Sequence, residues 1–243
     1  MAGAKDIIIK PIKAGDANRL IKRLHYSGKV VPNSKLHFGA FYNGRLEGAL
    51  SFGPPIDKRR MINLVSGSKW HSMVELNRMA FSDRLPRNSE SRALSVCFRI
   101  IRKAYPQIEW IVSFADATQC GDGAIYRASG FVLTQINKNT RMLKLNNGEV
   151  VAYKSLHHKY YDMAKFRNQL NPKPIDGFQI RYVYFLNPSA RERLTVPEMP
   201  FSKIAELGAG MYKGEKRTPV EDRQKPSDDG GANPTRSLHS SDG

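Results

Sequence analysis

Residues 74–116 read VELNRMAFSDRLPRNSESRALSVCFRIIRKAYPQIEWIVSFAD, and their pattern predicts the central unit of the fold. Val74–Phe81 is typical of a strand. After a polar break, the sequence predicts a helix from about Ser91 to Ala104, with an apolar face formed by Leu94, Phe98 and Ile101. Glu109–Ala115 is apolar at most positions, as in a strand covered on both faces. Two strands joined by a helix predict a parallel pair with a right-handed crossover.

The residues before this unit predict a strand, a helix and a hairpin. Asp6–Ile12 is a short strand, and the helix after it is capped at Asp16 and carries Leu20, Ile21 and Leu24 on one face. Leu36–Tyr42 and Arg45–Phe52 are strand-like runs. Asn43-Gly44 joins them as a two-residue turn that favours positive φ.

The residues after the unit predict more strands and two helices. A loop at Gln119–Gly123 leads into a short helix, Ala124–Ser129, which ends at Gly130 where glycine is favoured. A second helical stretch runs from about His157 to Leu170. The predicted strands are Phe131–Ile136, Arg141–Leu145, Glu149–Lys154 and Phe178–Leu186. Together these elements predict an α/β fold.

The charge of the chain indicates a polyanionic partner. The 243 residues contain 39 Lys and Arg against 22 Asp and Glu, a formal net charge of +17. Nucleic acid is the commonest partner of so basic a protein. No apolar run approaches the roughly 20 residues of a membrane-spanning helix, and the three apolar residues in a row near the N-terminus are too few for a signal peptide. We therefore expect a cytosolic protein that does not enter a membrane.

The two cysteines and the C-terminal segment complete the outline. Cys97 and Cys120 are too few for a disulfide framework or a Cys-rich zinc site.

Residues 213–243 are rich in Gly, Pro, Ser and Asp, which predicts a disordered polar tail after a folded domain at 1–212. That tail holds six basic and six acidic residues, so the whole excess charge belongs to the folded domain. We infer that the polyanion sits on the domain itself, as a substrate does.

The order of elements resembles the GNAT acyltransferase fold, whose mixed, mostly antiparallel central sheet is flanked by helices. Arg87-Asn88-Ser89-Glu90-Ser91 lies where GNAT proteins hold the pyrophosphate of acetyl-CoA, and a helix N-terminus offers unpaired N–H groups for that purpose. GNAT proteins usually have glycine in this loop, which this sequence lacks. Ile125–Phe131 is similar to the Y-x-x-x-G-F segment of the fold, whose Tyr often protonates the departing thiolate.

Six short segments carry a more specific resemblance. They are Leu76–Arg78, Pro86–Ser91, Val112–Asp116, Ile125–Ser129, the pair His25-Tyr26 and Arg181–Phe185. Their order resembles the Mom DNA-modification proteins of Mu-like phages, over roughly residues 20–190. This family implies modification of adenine in double-stranded DNA at its exocyclic amine, giving a methylcarbamoyl adduct that protects phage DNA from restriction enzymes in the cytoplasm of the bacterial host. Acetyl-CoA and iron are the cofactors that the resemblance implies.

The resemblance also suggests which residues form the site. Asp116 and Tyr126 are the expected catalytic residues, and His25 and Tyr26 the expected metal ligands. The expected acetyl-CoA contacts are Arg78, Arg87, Asn88, Ser89 and Ser91.

Each of these residues also has a purely structural interpretation. Asp116 ends a buried strand, where ligands collect in open α/β sheets, but an Asp there also caps the following loop. The Tyr126 phenol can act as an acid or simply pack in the core. Ser89 and Ser91 can donate to phosphate or cap a helix. Adjacent residues of a helix point about 100° apart, so His25 and Tyr26 can share one ion only at a helix end or in a loop, and Gly28 indicates such an end.

Three functions remain open on the sequence alone. A DNA-modifying enzyme would have to flip adenine out of the helix. A GNAT acetyltransferase acting on a protein or small amine would need neither flipping nor metal, and a nucleic-acid-binding protein on this fold would need no catalysis. The sequence leaves the oligomeric state open, with a homodimer as one option.

Overall fold

The computed structural model describes residues 3–153 and 170–217. The strands of the main sheet are β1 (Ile8–Pro11), β2 (Leu36–Tyr42), β3 (Arg45–Gly53), β4 (Met73–Phe81), β5 (Trp110–Asp116), β6 (Val132–Lys144), β7 (Val150–Ala152) and β8 (Lys173–Phe185). A separate hairpin pairs β9 (Met211–Tyr212) with β10 (Glu215–Lys216). The helices are α1 (Ala14–Leu24), α2 (Lys58–Met61), α3 (Ser89–Ala104), α4 (Ala124–Ala128), α5 (Ser189–Glu192) and α6 (Ser202–Glu206), with 3-10 turns at Ala4–Asp6 and Ile62–Leu64.

The main sheet has the strand order β1-β2-β3-β4-β5-β8-β6-β7. The β4–β5 pair is parallel and the others are antiparallel. This is the mixed, mostly antiparallel α/β sheet expected from the sequence, and the β4-α3-β5 unit predicted from residues 74–116 lies at its centre. No helix in the described part of the chain is long and apolar enough to span a bilayer.

Apolar residues cover both faces of the sheet. On the α3 face, one large buried cluster joins α3 to residues of six strands, among them Leu50, Leu76, Ile111 and Tyr182. On the α1 face, Ala17, Leu20 and Ile21 of α1 pack with Ala49 and Ala80. A further cluster on that face consists of Leu64, Val65, Met73, Trp110, Val112, Val183 and Ala190. The period-2 alternation of strand side chains separates the two faces.

The parallel pair is short and opens into a fork. Its ladder has three residue pairs, the last of which is Glu75 with Val112. Beyond it, residues 76–81 of β4 stay paired with β3, and residues 113–116 of β5 stay paired with β8. The Ser113 hydroxyl donates to the Leu76 carbonyl at 3.5 Å where the strands part. We call the space between 76–81 and 113–116 the fork.

Several local predictions are confirmed. Asn43 and Gly44 both have positive φ, 49° and 75°, in the β2–β3 turn. Gly130 follows α4 with a φ of 83°. Leu20 and Ile21 are buried in α1, as the helical spacing predicts.

Other boundaries differ from the prediction. Lys13, not Asp16, is the N-cap of α1, and Asp16 lies in the first turn, where it pairs with Arg19. Residues 132–144 form one strand instead of two, because pairing with β8 keeps them extended through two register shifts. β8 begins at Lys173, five residues before the predicted Phe178, for the same reason. The predicted helix at 157–170 lies outside the described residues, apart from its last position.

The folded part of the chain extends past the predicted domain boundary at 212. Lys213 and Gly214, both with positive φ, form the turn between β9 and β10. Arg217 donates its backbone N–H to the Gly210 carbonyl at 3.1 Å, which closes this hairpin. Composition alone missed the hairpin because its two strands are only two residues long. Residues 218–243 lie outside the described part.

Candidate active site

Asp116 lies at the tip of the fork and collects donors from two parts of the chain. Its carboxylate accepts from the Thr118 backbone N–H at 2.9 Å, from Gln119 Nε2 at 3.1 Å and from the Tyr26 hydroxyl at 3.3 Å. The first two bonds cap the loop after β5, so the structural interpretation of Asp116 is correct. The third bond joins it to a residue 90 positions away, and this places the carboxylate in a shared polar site.

His25 and Tyr26 lie just beyond the end of α1. His25 is the C-cap of the helix, and Gly28 has a φ of 59°, as the sequence indicates. The two rings lie 4.4 Å apart, and the Ser27 hydroxyl is 2.8 Å from His25 Nδ1. Burial and then the charge of Arg78 lower the pKa of His25 to about 4. Burial and then Asp116 raise the pKa of Tyr26. At neutral pH the imidazole is therefore uncharged and the phenol keeps its proton.

Arg78 fastens the segment after α1 to β4. Its Nε donates to the Lys29 carbonyl at 2.9 Å, and one Nη donates to the Asn77 carbonyl at 2.6 Å. These bonds commit two of its N–H groups to backbone carbonyls near Tyr26. The structure thus places Arg78 beside His25 and Tyr26.

Tyr126 combines a packed ring with a polar end. Its ring lies 5.2 Å from that of Phe131 and 5.3 Å from that of Tyr182. Burial raises the pKa of its hydroxyl, and a hydrogen bond with Ser113 partly offsets that effect. Ser113 is the first β5 residue of the fork. The phenol is therefore a protonated group at the base of the fork at neutral pH.

The loop before α4 is held by a buried ion pair. The Asp122 carboxylate, 2% exposed, accepts from Arg127 at 3.1 Å. The backbone carbonyl of Asp122 accepts from the Tyr182 hydroxyl at 2.5 Å. Gly123 has a φ of 87°, and a Cβ there would lie 2.4 Å from the Tyr182 ring. Only glycine fits this approach, which fixes how α4 presents Tyr126.

Glu75 is a site residue that the sequence analysis missed. It is the last β4 residue of the parallel ladder. Burial raises its pKa to about 7, although a hydrogen bond from Asn77 and the charge of Arg78 oppose the shift. A single carboxylate between the apolar residues Val74 and Leu76 is the sequence signal that could have identified it.

We expect Glu75→Gln to make the protein less sensitive to alkaline pH. The folded-state pKa of Glu75 lies above its unfolded value, so its contribution is favourable below about pH 4.5 and is lost as the pH rises through 7. Relative to wild type, the variant should gain on the order of 2 kcal/mol in free energy of unfolding between pH 5 and pH 8. Urea denaturation at both pH values measures this difference. An equal effect of the substitution at both values would contradict it.

The N-terminus of α3 has the local geometry of an anion site. Asn88 is its N-cap with a φ of 68°, the left-handed conformation that the glycine of related loops would adopt. The Ser91 hydroxyl donates to the Asn88 carbonyl at 3.1 Å, and Arg87 is exposed. Ser89 is fully buried, and its hydroxyl donates to the Pro86 carbonyl at 2.6 Å. The side chain of Ser89 therefore shapes the loop, and its contact with a cofactor would be through the backbone.

A groove of about 480 Å³ continues from this loop between α3 and α4. Arg92 and Ser129 line opposite walls, and Arg92 Nε and Ser129 Oγ are both buried without a hydrogen-bond partner among the described residues. Leaving buried donors unpaired is costly. Both donors would gain a partner if the side chains turned toward a ligand with acceptor oxygens in the groove. Arg99 and Arg102 add positive charge to the same groove.

The donor set at His25 and Tyr26 does not fit an iron centre. Within residues 3–153 and 170–217, no three His, Cys, Asp or Glu side chains are grouped to hold a metal ion. His25 Nδ1 is bonded to Ser27, and Tyr26 is bonded to Asp116. Cys120 lies beside these residues, and partial burial of its thiol and then the Asp116 charge raise the pKa of that thiol.

Comparison with known proteins identifies one family. The Mom protein family model matches residues 6–203. The Methylcarbamoylase mom of Escherichia phage Mu is 33% identical over 206 residues, which cover 79% of this chain and 80% of that protein. Among solved structures, the ribosomal-protein-S18-alanine N-acetyltransferase of Escherichia coli is 13% identical with a TM-score of 0.44, and covers 74% of this chain and 94% of its own. A GNAT family acetyltransferase from Elizabethkingia anophelis with acetyl-CoA bound is 15% identical with a TM-score of 0.39, and the match covers 74% of this chain and 98% of that protein.

Proposed function

The chain belongs to the Mom protein family, and on that premise we propose that it converts adenine in double-stranded DNA to a methylcarbamoyl adduct at the exocyclic amine. The observation that carries this proposal is the 33% identity to a methylcarbamoylase over four fifths of both chains. The excess of 17 positive charges supports a DNA substrate. We further propose that acetyl-CoA supplies the two-carbon unit of the adduct and that the adduct protects phage DNA from restriction in the host cytoplasm. Acetyl transfer alone gives acetyladenine, so the additional nitrogen of the methylcarbamoyl group has to come from a second, ammonia-level donor together with a two-electron oxidant.

The fork supports a role for Asp116 in activating the amine. The exocyclic amine of adenine is a weak nucleophile, and in a duplex it is buried, so the base has to leave the stack. Asp116 ends its strand on the α1 face, beside Tyr26. Thr118, Gln119 and Tyr26 orient its carboxylate, which can accept a hydrogen bond or a proton from the amine.

The groove between α3 and α4 supports acetyl-CoA as cofactor. The phosphates of acetyl-CoA would bind at the α3 N-terminus, at Arg87, Asn88 and Ser91. The unpaired donors of Arg92 and Ser129 would contribute to the same site. When bound, acetyl-CoA supplies an activated acyl group with a thiol leaving group. Tyr126 holds a proton at the base of the fork and can give it to that sulfur.

Mass spectrometry of nucleosides tests the proposed function directly. Plasmid DNA is isolated from cells that express the protein and is digested to nucleosides. Cells that express the Asp116→Asn variant are the control. We expect a deoxyadenosine adduct of methylcarbamoyl mass in the wild type only. An acetyl mass on adenine would indicate simple acetyl transfer, and unmodified DNA from cells with soluble protein would reject DNA modification.

Replacing Arg92 by methionine tests the cofactor groove. The change removes the guanidinium and keeps the aliphatic stem, so we expect acetyl-CoA to bind about tenfold more weakly or worse, the usual cost of one charge-assisted hydrogen bond. Isothermal titration calorimetry measures the dissociation constant. Arg19→Met, on an exposed side chain of α1, is the control with the same charge change. Equal affinity of Arg92→Met and wild type would place the cofactor elsewhere.

A further inference from the structure

Arg181 is a buried arginine on the α1 face of the sheet. It is 7% exposed and lies on β8 opposite Phe114 of β5. Val183, two residues further along the strand, belongs to the buried cluster of the α1 face, whereas Ile180 and Tyr182 belong to the cluster of the α3 face. Strand alternation therefore directs Arg181 to the α1 face.

The guanidinium is only partly satisfied. Its Nε donates to Thr134 Oγ1 at 2.9 Å and one Nη donates to the Thr134 carbonyl at 3.4 Å. An arginine has five N–H donors. In the described part of the chain, no carboxylate oxygen lies within ion-pair distance of it.

The surroundings of Arg181 add positive charge instead of neutralising it. Burial and then the nearby charge of Arg60, on α2, lower the pKa of Arg181. A buried cation without a counter-ion is costly, and proteins usually pair such a group. The arrangement resembles one half of an ion pair whose anionic partner comes from outside the chain.

The position of Arg181 indicates which anion that is. Asp116 pairs with Gln179 in the same ladder, so Arg181 is a diagonal neighbour of Asp116 on the same face, at about 7–8 Å. The groove assigned to acetyl-CoA lies beside α3, on the other face. An anion at Arg181 is therefore part of the acceptor substrate and not of the cofactor.

We propose that Arg181, supported by Arg60, binds a phosphodiester group that flanks the target adenosine. This inference rests on the proposed DNA substrate. A guanidinium matches two phosphate oxygens in a bidentate way. Hydrogen bonds to Thr134 hold the Arg181 guanidinium on the face that carries Asp116, the residue proposed to contact the adenine amine. Arg181 is thus a binding residue that sets the position of the flipped nucleotide relative to Asp116.

The test combines stability with DNA binding for Arg181→Met. Because the substitution replaces an unpaired buried charge by an apolar side chain of similar length, we expect an unchanged or higher melting temperature without DNA. We expect affinity for a 20-base-pair duplex, measured by fluorescence anisotropy, to fall about tenfold to a hundredfold. The slope of log affinity against log salt concentration should fall by about 1. Arg191→Met is the matched control, because Arg191 is exposed and already paired with Glu198.

A neutral DNA linkage identifies the contact. The adenine modified by the wild type is mapped, and duplexes are made with a methylphosphonate at each linkage beside it. One such linkage should weaken the wild type and leave Arg181→Met unaffected. If every linkage weakens both proteins equally, or if Arg181→Met binds DNA like wild type, the phosphate contact is overturned while the proposed function stands. A wild type that neither binds nor modifies DNA overturns both.

Discussion

Asp116→Asn should lower the rate of adenine modification by a factor of about 10² to 10⁴, the usual contribution of a positioned acid–base group. The amide keeps the shape of the side chain. Its oxygen can accept from the Thr118 N–H and its NH2 group can donate to the Tyr26 hydroxyl, so the fork and its loop should stay folded although the bond from Gln119 Nε2 is lost. It cannot accept a proton from the amine. The modified fraction of deoxyadenosine in DNA from expressing cells, measured over time, gives the rate.

Asp83→Asn is the matched control for this substitution. Asp83 is an exposed carboxylate between β4 and α3, so its loss changes the net charge by the same amount, and we expect wild-type modification. If Asp116→Asn keeps half or more of the wild-type rate while its melting temperature is unchanged, the carboxylate is only a loop cap.

Tyr126→Phe should lower the turnover number about 100-fold and leave the Michaelis constant for acetyl-CoA unchanged. The phenylalanine ring retains the packing against Phe131 and Tyr182, so only the hydroxyl at Ser113 is lost. The raised pKa of Tyr126 also predicts that the wild-type rate does not fall between pH 7 and pH 9 through ionisation of this phenol. Modification of duplex DNA by purified protein at several acetyl-CoA concentrations measures both constants.

Tyr105→Phe provides the comparison for the loss of a phenol. Tyr105 follows α3 and is 37% exposed, away from the fork, so its hydroxyl should make no difference to the rate. A Tyr126→Phe enzyme with wild-type turnover would assign the ring to packing alone.

The sequence predicted the parts of the fold that depend on local pattern. The Asn43-Gly44 turn is set by the φ preferences of two residues, and the β4-α3-β5 unit follows from periodicity within 43 residues. The position of Asp116 at the end of a buried strand was visible for the same reason. These features need no information about distant parts of the chain.

The remaining features depend on contacts between distant segments. The Tyr26–Asp116 hydrogen bond joins positions 90 residues apart, and no spacing rule indicates it. The unpaired atoms of Arg92 and Ser129 become evident only when α3 and α4 are placed side by side. Arg181 belongs to a basic and aromatic run in the sequence, and only the pairing of β8 with β5 shows that it shares a face with Asp116.

The short β4–β5 ladder makes the sheet behave as two stiff plates joined along a seam. Seven residue pairs join β2 to β3 and seven join β5 to β8, but three join β4 to β5. Buried clusters clamp the seam at its base, where Met73 lies beside Trp110, and the tips at Phe81 and Asp116 have no common ladder. Opening of the two plates about this seam would therefore displace the tips most. The displacement would be least at the end of the ladder, where Glu75 pairs with Val112 and the Ser113 hydroxyl donates to the Leu76 carbonyl. A substrate that enters between the tips therefore meets the most deformable part of the sheet.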